Sequence, residues 1–186
     1  MKNFLSSFKS SAAELKNIRC LTVTGILTAM FIVLDICSIN IGGFIKLNFN
    51  FLALASVGML FGPVPAVMSA VAGDLIGCII SGFSPIPLLT CSGALSGLIY
   101  GVCLYKRDGL QLAAFSIISR IIDSIIVSFV LNTAILMYSG LMSRTGAQLY
   151  TRCIVVAIQI AVFTIITPAV MVAVKTIYTK VIKHTP

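Results

Sequence analysis

Apolar residues in this chain come in long continuous runs rather than in alternation. The first run extends from Leu21 to Ile41 with Asp35 as its only charge, and Gly42-Gly43 ends it. A charge-free stretch then runs from Leu47 to Gly73, too long for one membrane crossing, and Phe61-Gly62-Pro63-Val64-Pro65 divides it. That predicts a short second span over about 49–60 and a third over about 66–80, which carries Asp74. The turn formers of Ser81-Gly82-Phe83-Ser84-Pro85-Ile86-Pro87 follow. A fourth span covers about 88–105, with Gly93, Gly97 and Gly101 on one helical stripe, a spacing that lets another helix come close. After the turn Lys106-Arg107-Asp108-Gly109, a fifth span over about 110–138 holds Arg120, Asp123 and Asn132. The sixth covers about 153–174, and Pro168 is expected to kink it.

A helix needs about 20 apolar residues to cross a bilayer core, and lipid leaves no partner for unpaired backbone groups. Continuous runs favour helices over a barrel, whose strands would alternate. The fold class is therefore all-α, a polytopic membrane protein of six transmembrane helices over 20–178. A lead-in at 1–19 and a tail at 179–186 flank it. Composition agrees: 59% of residues are hydrophobic and 10% charged, against roughly 25% charged in soluble domains.

The net charge of +8 reads as topology rather than as a nucleic-acid surface. If six helices cross in order, Lys2, Lys9, Lys16, Arg19, Lys106, Arg107, Lys175, Lys180 and Lys183 fall on one side, nine of the thirteen basic residues. Positively charged flanks stay inside, so both termini are expected in the cytoplasm. The six cysteines have no CxxC spacing and no histidine partners, and read as small buried hydrophobes with no metal site.

Ionisable groups inside a membrane are costly, so each needs a reason. Arg120 and Asp123, three apart on one helix, can cancel each other's cost, or Arg120 can point at a partner or an anionic ligand. Asp74, in Ala72-Gly73-Asp74-Leu75, can bond a neighbouring helix or accept from the paired donors of a heterocycle. Asp35 sits near the outer end of the first span, where water or headgroups can meet it. Lys46 and Asn48 lie on the first outer loop, and Asn132 near the outer end of the fifth span must find partners for both donor and acceptor.

Enzyme readings fare poorly. A membrane aspartyl protease has glycine where Val71 stands, and Ser92-Gly93 lacks a base because His184, the one histidine, lies in the tail. No Gly-rich phosphate loop with lysine is present. Binding and transport remain, with no catalytic residues and no cofactor.

The chain resembles the substrate-binding S components of energy-coupling-factor (ECF) vitamin transporters, most closely the folate family. The resemblance rests on Lys46-Leu47-Asn48-Phe49, Gly58-Met59-Leu60-Phe61-Gly62-Pro63 and Gly73-Asp74-Leu75-Ile76-Gly77. It continues with Pro87, Thr90, Ser92, Gly97-Leu98-Ile99-Tyr100-Gly101, Leu104-Tyr105, Leu131-Asn132-Thr133 and Arg152. Two departures stand out: the family's Pro-Gly-Phe-Thr is here Pro87-Leu88-Leu89-Thr90, and the tryptophan common after Leu-Asn-Thr is missing. The resemblance implies a bacterial cell-membrane protein that captures a folate-like vitamin from outside. Its partners would be a membrane-embedded T component and two ATPase subunits. The implied substrate residues are Lys46, Asn48, Asp74, Thr90, Tyr100, Asn132 and Arg152, under lids at 42–50 and 81–90. Gly25 and Ala29, at small-xxx-small spacing, would meet the membrane partner or pack within the chain. Pantothenate, a queuosine precursor or riboflavin would suit the same scaffold, and a structural subunit that binds no solute is the rival reading.

Overall fold

The computed structural model describes residues 8, 10–12, 14, 15, 17–41, 45–82, 84–107, 109–138 and 146–184; the side chains of 39–41, 45–47, 136, 146–149, 151, 152 and 181–184 are not described. The fold is a polytopic helical bundle with one short pair of strands. Helix α1 covers Ile18–Ile36, α2 Asn50–Phe61, α3 Pro63–Ile80 and α4 Pro87–Leu104. Helix α5, Gly109–Ile122, continues into a π-helical segment, Asp123–Leu131, and then α6, Asn132–Tyr138. Helix α7 runs over Gly146–His184 and contains Pro168. Among the described residues, five helical stretches are long and apolar enough to cross a membrane: α1, α3, α4, the stretch 109–135 and the stretch 153–180.

Helix α2 has only 12 residues, and nine of them are buried. A helix apolar on every side belongs inside a bundle, where all its faces find partners. Phe51, Leu54, Ala55 and Met59 of α2 form one core with Tyr100 and Leu104 of α4, Leu112 of α5, and Phe163 and Met171 of α7. The outer helices turn apolar side chains outward instead. Ile26, Met30 and Val33 of α1 and Ile76, Ile79 and Ile80 of α3 are exposed, as suits a lipid-facing surface.

The expected break between α2 and α3 lies at Gly62, whose φ of +90° a side chain would resist. Pro63 then opens α3 with its φ already helical. The turn is locked by Ser11, fully buried, whose Oγ donates to the Phe61 carbonyl at 2.7 Å and accepts from the Val64 amide at 3.2 Å. Nearby, Tyr105 donates to Glu14 at 2.6 Å, and Lys175 donates to the Arg107 carbonyl. These contacts gather the start of the chain, the 61–64 corner, the 105–107 turn and the late part of α7 at one end of the bundle.

At the opposite end the first helix stops earlier than expected. Residues Ile39–Ile41 form strand β1, paired antiparallel with β2, Ile45–Leu47. The register places Asn40 opposite Lys46. The pattern Ile-Asn-Ile, Gly-Gly, Phe, Ile-Lys-Leu alternates on both sides of a glycine pair, which is a hairpin signal embedded at the end of an apolar run. The cysteines also depart from expectation. Only Cys20 is buried, while Cys37, Cys91 and Cys153 are exposed and all six are free thiols. In lipid a small thiol on an outer face costs little, so burial was not required.

Candidate functional site

A cavity of about 710 Å³ opens at the hairpin end of the bundle, between α1, α2, α3, α4, the π-helical segment and α7. Its size falls within the few-hundred to thousand Å³ typical of small-molecule sites. Three carboxylates (Asp35, Asp74 and Asp123) and one guanidinium (Arg120) line it, among the described residues. Aromatic wall comes from Phe31, Phe51 and Phe163.

Four residues expected from the sequence line this cavity: Asn48, Asp74, Tyr100 and Asn132. Asp74, half-buried on α3, is braced from α4: Thr90 Oγ1 donates to Asp74 Oδ2 at 2.6 Å. Thr90 is not itself part of the cavity wall. Asn132 is held the same way, with Ser92 Oγ 2.6 Å from its Oδ1. That contact fixes the amide and leaves its two N–H donors for a ligand. Lys46 lies in β2 and Arg152 in α7, but both side chains are outside the described residues.

Tyr100 is fully buried, and its hydroxyl is engaged within the protein. Its hydroxyl donates to Asp123 Oδ2 at 2.9 Å and accepts from Arg120 Nη1 at 3.1 Å. Arg120 Nη1 also meets Asp123 Oδ2 at 3.0 Å, the internal ion pair that the i, i+3 spacing offered. Ser96 donates to the other oxygen, Asp123 Oδ1, at 2.5 Å. Both Asp123 oxygens are thus committed to the protein. Phe51 and Phe163 take the aromatic part. The Arg120 guanidinium carbon sits 4.0 Å from the Phe51 ring centre and 5.1 Å from that of Phe163.

Two polar atoms of the cavity lining are buried without a hydrogen-bond partner, Arg120 Nε and Asn48 Oδ1. A buried polar atom left unpaired costs about 1–3 kcal/mol. Asn48 directs its Nδ2 to Asp35 Oδ1 at 3.4 Å, and Asn50 Nδ2 reaches the same oxygen at 3.1 Å. Asp35 therefore ties the end of α1 to the segment just after the hairpin. Near the outer end of the first span, water or headgroups would meet Asp35; the antiparallel pairing of 39–41 with 45–47 brings the two asparagines to it instead.

The π-helical segment explains why Asp123 and Asn132 share the cavity. The Asn132 amide donates to the Val127 carbonyl, five residues back. Nine residues of α-helix turn through about 900°, which would put the two side chains roughly 180° apart. With i→i+5 bonding a turn takes about 4.4 residues, so nine residues make close to two full turns and return to the same face. Val127 and Ser128 reach the cavity for the same reason.

Gly25 and Ala29 on α1 are both exposed, and a Cβ added at Gly25 would meet nothing within 4 Å. Packing of this pair within the chain is therefore not observed.

A protein-family model described as ECF-type riboflavin transporter, S component, matches residues 15–180. The chain belongs to that family. An S component is the substrate-binding subunit of a vitamin transporter, not an enzyme, and works with the T and ATPase subunits of an ECF module in general. Among solved structures, this S component is similar to the crystal structure of FolT bound with folic acid. The TM-score is 0.71 at 22% sequence identity, covering 81% of this chain and 91% of that one. At that identity the likeness is one of fold. A comparison with curated proteins finds no match.

Proposed function

We propose that this S component captures a vitamin built on a pteridine ring, folate in the first place, from outside the cell. The observation that carries the reading is the braced pair of polar readers in the cavity. Asp74 offers a carboxylate held by Thr90, and Asn132 offers an amide held by Ser92. A pterin presents an amino group and a ring N–H side by side, a pair of donors that suits one carboxylate. The likeness of fold to a folate-bound protein adds support. Riboflavin is the second reading, favoured by the family model that matches the chain. Its ring edge offers one N–H between two carbonyls, which suits an amide such as Asn132 better than a carboxylate. A purely structural subunit would have no reason to keep a cavity with unpaired polar atoms.

Equilibrium binding to the detergent-purified chain separates these readings. Folic acid is expected to bind more tightly than riboflavin, and Asp74→Ala is expected to weaken folic acid about 10- to 100-fold while the chain stays folded. Absence of measurable folic acid binding in the unmodified chain refutes the folate reading.

In the same proposal six helices cross the membrane, the short α2 among them, in a bacterial cell membrane. The basic end of the bundle, with Arg19, Lys106, Arg107, Lys175 and Lys180, faces the cytoplasm with both termini. Lys46 and Arg152 stand at the outer end and meet the carboxylates of a folate-like ligand. The exposed Gly25/Ala29 stripe receives the membrane-embedded T component, whose two ATPase subunits supply the energy. Gly25→Leu should then leave vitamin affinity within about twofold and abolish co-purification with the T component. Unchanged co-purification would remove that face from the docking role.

A further inference from the structure

We infer that Arg120 is a ligand-binding residue, and that its Nε/Nη2 edge takes the adjacent carbonyl and imine acceptors (O4 and N5) of a pteridine ring. The inference rests on the reading of this cavity as a vitamin site and adds the second pole of recognition to it.

Arg120 is 4% exposed and lines the cavity. A guanidinium has five N–H donors arranged on distinct edges. Here the hydrogen bonds to Tyr100 and Asp123 both use Nη1. Nε is buried without a partner, and neither bond involves Nη2. The side-on edge formed by Nε and Nη2 is the one that binds two acceptors at once. It is left unused in a site where an unpaired donor is costly.

The surroundings hold this edge in place. Asp123 neutralises the cation, and Ser96 and Tyr100 fix Asp123 in turn. Phe51 and Phe163 lie against the guanidinium carbon, so the group is packed as well as hydrogen-bonded. Such a fork matches two neighbouring acceptors on a fused heterocycle, as an arginine matches O6 and N7 of guanine. In a pteridine those acceptors are O4 and N5, and the folate and flavin rings share them. Asp74 would meet the donor edge on the other side of the carbonyl. Arg120 thus recognises what the two vitamins have in common, and Asp74 and Asn132 tell them apart.

The test needs no change to the chain. Affinities for folic acid and riboflavin are measured beside those for their 5-deaza analogues, in which C–H replaces N5. The vitamin that binds is expected to lose about 10- to 100-fold on this change. Equal affinities for parent and 5-deaza compound overturn the role of Arg120 and leave the vitamin reading standing. Binding of neither vitamin overturns both. In Arg120→Lys, which keeps the charge and loses the fork, the parent should weaken by a similar factor. The difference between parent and analogue should then vanish. A Lys variant that still discriminates against the analogue overturns the inference. Should that variant fail to fold, the analogue series on the unmodified chain still decides.

Discussion

An Asp123→Ala chain is expected to melt about 10 °C lower in detergent than the unmodified chain, the largest loss from any single polar substitution in the bundle. The reason is what the change leaves behind. Asp123 is 4% exposed and takes hydrogen bonds from Ser96, Tyr100 and Arg120. Removing it strands the Arg120 cation between two phenylalanine rings with no counter-charge. It also orphans two hydroxyls on α4. Breaking one partner out of a buried pair costs about 3–5 kcal/mol, whereas replacing both by apolar residues is often neutral. The double variant Arg120→Met with Asp123→Leu should therefore recover most of the melting temperature and still bind the vitamin poorly. Thermal unfolding followed by tryptophan-independent means, such as a thiol-reactive dye on the free cysteines, reads both chains. A single variant as stable as the unmodified chain would show that the pair carries no structural weight.

How far the sequence could show this site depends on which physical signal each residue carries. The corner at Gly62-Pro63 was legible because glycine and proline mark backbone geometry directly, and the φ of +90° is what that signal means. Asp74 and Asn132 were legible because a polar side chain in an apolar run must be answered by something. Arg120 and Asp123 were legible as a pair, since i, i+3 spacing is a property of the helix itself. What remained hidden was everything set by departures from the regular period. The π-helical turn rotates Asn132 into the cavity, and no periodicity of 3.6 residues can anticipate it. The pairing of strands β1 and β2 follows an early end of α1 and makes Asp35 the anchor of Asn48 and Asn50. The unpaired Nε of Arg120 is a matter of three-dimensional accounting, since it depends on which nitrogen Asp123 and Tyr100 happen to use. Thr90 bonds Asp74 and does not line the cavity, a distinction of a few ångströms that spacing along a chain does not carry.

Gly101→Leu is expected to prevent accumulation of folded protein, and Gly101→Ala to lower the melting temperature and weaken vitamin binding together. Gly101 lies on α4 where it crosses the corner between α2 and α3. A Cβ there would run into the backbone of Pro63, and a Cβ on Gly58 of α2 would come within 2.8 Å of the Gly101 nitrogen. One turn along α4, a Cβ on Gly97 would lie 2.7 Å from the Ala66 carbonyl oxygen. These are contacts between main chains, so no side chain can rotate away to make room. Inserting a methyl group into a packed core costs about 1–3 kcal/mol where neighbours can shift, and leucine here has no such neighbours. Within lipid, close packing of helices supplies much of the association that water would otherwise drive, so lost contact is not made good elsewhere. The same displacement moves Ser96 and Tyr100, which sit on α4 beside Gly97 and Gly101 and hold Asp123 in place. Binding should therefore fall along with stability. Gly93 provides the control. It shares the glycine stripe, but a Cβ there meets nothing within 4 Å, so Gly93→Ala should melt within about 2 °C of the unmodified chain. Equal melting temperatures for the Gly93→Ala and Gly101→Ala chains would mean that α4 can slide away from the α2–α3 corner. The close approach would then not be what fixes the cavity wall.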